Sequence, residues 1–260
     1  NAPSSSTGGL PNLAISANAG GVNPSATLNL TAGNVVASGG IVSLVQCTGF
    51  NMNPGPFIQG GQINGDALMN LSLGDVTSGD VFEAISARDG AGLIDGNALP
   101  NVTTIGNLNV QTDIVNDVIN TADLSGTTLV PGGTITGDAS SRTVVNGNIV
   151  ATSGTGEFAV LNNDVRALAA GGTIGGAATV FVGANGISTG TVFQPIVNDR
   201  NGSVGGDATV TVAVTNDSKV GTDTIFTVLH PNGRIGGQAH EEFSARNGPR
   251  WRNVTFAIHR

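Results

Sequence analysis

The stretch GSVGGDATVTV, residues 202–212, reads as a tight turn followed at once by a strand. From Ala208 to Val214 the chain runs Ala-Thr-Val-Thr-Val-Ala-Val. Such period-two alternation marks a strand with one buried face. Gly205 and Gly206 suit a sharp corner, where a chain needs positive φ or close backbone approach. Near-copies stand at 172–182 (GTIGGAATVFV) and 61–71 (GQINGDALMNL), so one turn and strand are written repeatedly.

The shared pattern is Gly-x-(Ile/Val)-x-Gly-x-Ala. It runs from Gly61 to Ala67, Gly92 to Ala98, Gly133 to Ala139, Gly172 to Ala178, Gly202 to Ala208 and Gly233 to Ala239. A weaker copy from Gly21 to Ala26 keeps Val22 and Ala26 and places Pro24 where the second Gly falls. The clear copies begin 31, 41, 39, 30 and 31 residues apart, which gives a unit of about 30 residues that sometimes carries about ten more. A second mark follows five of the six clear copies: Phe82, Phe158, Phe193, Phe226 and Phe256, with Ile85, Leu161, Ile196 and Leu229 three residues after the first four.

One such unit cannot bury its apolar face alone, whereas stacked units share a continuous core. The expected fold is therefore all-β: a parallel β-helix, or β-solenoid, of about 30-residue repeats with short insertions. In-register stacking puts equivalent residues about 4.8 Å apart, so Ala67, Ala98, Ala139, Ala178, Ala208 and Ala239 should form one column. The same stacking predicts an aliphatic core with stacked Phe. The variable motif position holds Ser25, Asp66, Asn97, Asp138, Ala177, Asp207 and Gln238, and no two neighbours are both Asp. Opposed carboxylates destabilise paired strands, so this alternation points to a ladder. A β-sandwich is the competing fold, but it has no need of a repeated turn text.

Composition agrees with a folded chain. Charged residues are 11% of the 260, well below the roughly 25% of an ordinary globular chain, yet 39% are hydrophobic. Disordered chains show the opposite balance. A formal charge of −8 argues against a nucleic-acid partner. Cys47 is the sole cysteine, within IVSLVQC, which reads as a buried small side chain and excludes an internal disulfide. No apolar run approaches the roughly 18 residues of a membrane-spanning helix. The opening NAPSSSTGG has no charged n-region or apolar core, so it is not an intact signal peptide but fits what remains after one is removed.

The turn GGxIGGDA, the TVTV run and the later (Val/Ile)-Phe-x-x-Ile resemble the repeats of bacterial β-strand-repeat surface proteins. These are similar to filamentous-haemagglutinin-type and autotransporter passenger domains. The resemblance covers residues 20–260. It implies export, a right-handed β-helical shaft and roles in adhesion or matrix structure, and it carries over no catalytic residue.

The chemistry-bearing residues form no site. The calcium-roll signature repeats every nine residues, and two adjacent turns here cannot supply six to eight oxygens. Asp66, Asp138 and Asp207 fall on one face, but no Lys or Arg accompanies them at fixed positions to engage an acidic sugar. His230, His240 and His259 lack zinc-site spacing. No serine elbow is present, and each Gly pair precedes a strand rather than a phosphate-binding helix. Asn29, Asn101 and Asn253 sit in glycosylation tripeptides that Asn- and Thr-rich text generates freely. The Thr pattern around Thr209 and Thr211 is too irregular to match ice. The expectation is no enzyme, no cofactor and no metal.

The organisation reads as a lead-in or first edge strand over 1–19, a repeat array over 20–245 and a basic edge, partial repeat or cap over 246–260. After residue 245 stand Arg246, Arg250, Arg252 and Arg260 with no acid, and the only tryptophan, Trp251, lies among them. Before it are 18 acidic and 6 basic residues. These five residues are the assembly candidates, either capping the last coil or docking on the acidic body of another copy in a head-to-tail contact that builds a filament. The expected function is an extracellular or cell-surface structural protein, a shaft for adhesion or the subunit of a fibre or matrix. A polysaccharide-binding or polysaccharide-cleaving β-helix is the alternative. The inserts between 21 and 61 and between 92 and 172 are where a binding site fits, and in a plain shaft they should scatter.

Overall fold

The computed structural model describes residues 13–16, 21–22, 25–47, 50–51, 57–58, 61–87, 92–120, 123–125, 128–130, 132–161, 172–189, 191–197, 202–216, 219–220, 224–229, 233–245, 250–251 and 254–259. Every regular element among them is a strand. After Leu13–Ser16 the chain visits three sheets in the same order seven times. Each circuit begins with a two-residue strand of a seven-stranded sheet, such as Gln62–Ile63, and continues into a twelve-stranded sheet, as in Ala67–Leu73. It then enters an eight-stranded sheet, as in Val81–Ser86. Neighbours within the seven- and eight-stranded sheets follow chain order, and pairing is parallel throughout the three sheets.

The register answers why the text repeats. Ala26, Ala67, Ala98, Ala139, Ala178, Ala208 and Ala239 pair successively as one seven-membered column. Val22, Ile63, Ile94, Ile135, Ile174, Val204 and Ile235 form a second. Val22 pairs with Ile63 and Gly21 with Gln62, so the weak copy's first Gly is equivalent to a variable position, not to Gly61. Along Ala208–Val214 buried residues alternate with part-exposed ones, and Ala208, Val210, Val212 and Val214 enter the core.

The Phe mark behaves differently. Phe226 pairs with Phe256, but Phe82 stands opposite Val42 and Val115, Phe158 opposite Asn116, and Phe193 opposite Glu157 and Ile225. The stacked-Phe expectation is thus corrected. The constant column of this sheet is Ile15, Val45, Ile85, Val118, Val160, Ile196, Val228 and Ile258. Phe82 and Phe193 stand three residues before that column, the other three Phe residues two before it. A one-residue offset reverses the face of a strand, so the mark mixed two faces. β-branched residues suit every rung because they pack on a pleated surface with a single preferred rotamer.

Two of the motif glycines show what the turn requires. A Cβ on Gly92 would land on the carbonyl oxygen of Cys47, and one on Gly205 on that of Gly175. Neither residue has φ in the left-handed range. Close stacking of one turn on the next demands glycine here, not an unusual dihedral.

Ala98, fully buried between Ala67 and Ala139, has no room for added methylenes, so Ala98→Leu should cost about 1–3 kcal/mol in urea unfolding. Ala239→Leu, at a part-exposed rung of the same column, should cost less than half as much.

Candidate functional site

The turns after the short strands carry a side-chain hydrogen-bond ladder that breaks at one rung, Ala177. The Asp66 N–H donates to Ser25 Oγ at 3.1 Å, and the Asn97 N–H to Asp66 Oδ1 at 2.8 Å. Asn97 Nδ2 reaches the same oxygen at 3.0 Å. The Asp138 N–H donates to Asn97 Oδ1 and the Ala177 N–H to Asp138 Oδ1, both at 2.8 Å. The Gln238 N–H donates to Asp207 Oδ1 at 2.7 Å. Asp66, Asp138 and Asp207 therefore share one line, but each spends an oxygen on the next backbone. Ala177 supplies no side-chain acceptor for the rung that follows it. That alternation is the one expected from the sequence, and its cause is now visible: except at Ala177, a side-chain oxygen serves the next backbone N–H, and an amide between two carboxylates also donates.

A second ladder escaped the sequence reading. The Asp75 N–H donates to Asn34 Oδ1 at 3.0 Å, the Asn107 N–H to Asp75 Oδ1 at 2.8 Å, and the Asn148 N–H to Asn107 Oδ1 at 2.9 Å. Asn185 Nδ2 continues the line to Asn148 Oδ1 at 3.2 Å. Its signal was present as Gly33-Asn-Val, Gly74-Asp-Val, Gly106-Asn-Leu and Gly147-Asn-Ile. The aliphatic members Val35, Val76, Leu108, Ile149 and Ile187 form the column beneath it.

One polar link crosses the interior. Asn116 of the eight-stranded sheet donates from Nδ2 to Thr143 Oγ1 at 2.8 Å and to the Arg142 carbonyl at 3.0 Å, while Ser141 Oγ donates to the Asn116 carbonyl. All three side chains are buried. Cys47 is buried too, its sulfur against the carbonyl oxygens of Gly61 and Leu93. Burial raises its pKa to about 11, opposed by hydrogen bonds from the Leu93 and Ile63 backbone.

The insertions do not scatter, contrary to the expectation for a plain shaft. Most of the extra length lies in the connection from the eight-stranded to the seven-stranded sheet, over residues 47–61, 120–133 and 162–172. The first two contain antiparallel pairs, Phe50–Asn51 with Phe57–Ile58 and Asp123–Ser125 with Thr128–Val130. Connections at 87–92, 198–202 and 230–233 are short. Three insertions thus leave the same corner in the first, third and fourth circuits.

Of the assembly candidates, Arg246, Arg252 and Arg260 lie outside the described residues. Arg250 and Trp251 form a short strand in register with Lys219 and Val220. His230 is outside the described residues, and His240 is exposed. Among the described residues no three His, Cys, Asp or Glu side chains converge to hold a metal ion, and no helix is long and apolar enough to cross a membrane. No protein-family model, curated protein or solved structure matches the chain.

Ala177→Asn would restore the missing acceptor, and urea unfolding should show a gain of about 1 kcal/mol. The buried Cys47 thiol should resist a disulfide reagent at pH 8 until denaturant opens the protein. Its folded pKa lies above its unfolded one, so its contribution to stability is intact below about pH 9 and falls as pH rises toward 11. Cys47→Ala should flatten that alkaline decline.

Proposed function

We propose that the seven circuits form a β-solenoid and that the protein is a non-enzymatic structural shaft of the cell surface or extracellular matrix, serving adhesion or building a fibre. The observation that carries this reading is the Ala column, one residue per circuit across all seven. A chain that spends its text on identical rungs maximises length and uniformity rather than a convergent catalytic cleft. The resemblance to filamentous-haemagglutinin-type and autotransporter repeats points the same way. So does the near absence of lysine, which leaves an exposed protein few trypsin-like cleavage points.

Self-association through the basic segment fits the charge pattern. Lys219, the only lysine, is the backbone register partner of Arg250, within a segment rich in basic residues. Carboxylates from another copy are the complementary partners of such a basic segment. Before Asp66 the chain has no Asp, Glu, Lys, Arg or His, so those carboxylates belong to the flanks of the later repeats rather than to the first. The gathering of three insertions at one corner favours a second reading, a shaft that also displays a polysaccharide-binding edge, because loops on a rigid scaffold carry recognition.

Small-angle scattering and electron microscopy at low salt test the shaft reading directly. Rods or fibres of constant cross-section are expected, with assembly lost on adding salt or in Arg250→Glu/Arg252→Glu. Compact particles that stay monomeric at high concentration and low salt would contradict it.

A further inference from the structure

The outer face of the twelve-stranded sheet holds a patch that the shaft reading does not use. Its outward positions on the strands from Ala26–Thr31 to Ala208–Val214 are all exposed or part-exposed. They carry mostly Thr, Ser and Asn with a few aliphatics, and Arg142 is their only ionisable residue. The next rung, Ala239–Ala245, adds the exposed His240 and Glu242 at the outward positions beside Thr209 and Thr211, so the face is nearly charge-free up to that edge.

One outward column reads Asn29, Asn70, Asn101, Arg142, Phe181 and Thr211, and ends at Glu242 two rungs beyond Phe181. Asn70 Nδ2 donates to Asn29 Oδ1 at 2.9 Å, and Arg142 Nη1 to Asn101 Oδ1 at 3.2 Å. The guanidinium carbon of Arg142 lies 5.5 Å from the centre of the Phe181 ring. That ring leans along its own strand over Gly183, where an added Cβ would meet Cε1 at 3.1 Å and Cζ at 3.4 Å. Gly183 therefore makes room for a half-exposed aromatic ring to lie down on the sheet. Planar amides and a planar guanidinium extend from it along the stacking direction, one per rung.

We propose that this column is a binding site for a neutral polysaccharide strand laid along the stacking direction, with one sugar ring on Phe181. An aromatic face takes the apolar C–H face of a pyranose. A forked guanidinium and fixed amides each meet paired hydroxyls, and a few placed polar groups beside an apolar platform are how small ligands are oriented. Rungs about 4.8 Å apart are close to the advance of an extended glycan per sugar. A nucleic acid would need a cluster of cations that the face lacks, and an anionic polymer would find a single one. The site stands on the sheet alone, so it holds whether or not the protein forms fibres, and it lies on a different surface from the insertion corner.

Native affinity electrophoresis through gels containing hydroxyethyl cellulose, glucomannan or xyloglucan, with alginate and heparin as anionic counter-probes, decides the matter. At least one neutral polymer should retard the protein. Phe181→Ala should weaken that retardation about tenfold, whereas Phe181→Trp keeps it. Asn70→Ala, three circuits away on the exposed column, should weaken it by a smaller factor and serves as the readout if Phe181→Ala does not fold. Retardation by none of the neutral polymers, by alginate or heparin alone, or unchanged in both Phe181→Ala and Asn70→Ala would overturn the proposal.

Discussion

In a parallel sheet, the backbone hydrogen bond ties each residue to its equivalent one circuit away, and every other feature of this protein follows from keeping that tie in register. The rise is about 4.8 Å per rung, so a side chain meets its own counterpart above and below. In the buried columns a residue type recurs where it packs against itself. Ala at the turn exit, Ile or Val before it, and β-branched residues in the eight-stranded sheet all meet that condition. A carboxylate does not, and the Asp66–Asn97–Asp138 alternation is the consequence.

The same constraint shapes the turns. Stacked corners bring carbonyl groups of one circuit against the α-carbons of the next, which is why Gly92 and Gly205 admit no side chain. The backbone N–H groups there find partners in side-chain oxygens of the preceding rung. Two such ladders, one at each end of the long strand, tie the corners together through side-chain oxygens and amides. Insertions are tolerated where neither ladder runs, in the connection leaving the eight-stranded sheet, and that is where all three fall.

Much of this was legible in the residues. The Ala and Ile/Val columns were visible because their spacing within the motif never changes, and the Asp66 ladder followed from like-charge repulsion. The eight-stranded sheet was harder to read. Its constant column of Val and Ile is made of aliphatic residues found throughout the chain, while the rarer Phe drew attention although it slips by one position between circuits. The Asn34 ladder was hidden because Gly-(Asn/Asp)-aliphatic is a short pattern in a Gly- and Asn-rich chain. The Arg142–Phe181 platform could not be read at all, since the two residues are 39 apart and meet only through the register of their strands. The insertion corner was seen as length but not as place, because a linear repeat count does not say which sheet an extra segment leaves.

The register is open to direct measurement. With alanine methyl groups labelled in an otherwise deuterated protein, nuclear Overhauser spectra should show a chain of cross-peaks linking Ala67 to Ala98, Ala98 to Ala139, Ala139 to Ala178 and Ala178 to Ala208. Each pair is far apart in sequence and one rung apart in space. Spectra in which those methyls contact unrelated neighbours and not one another would contradict the stacked account.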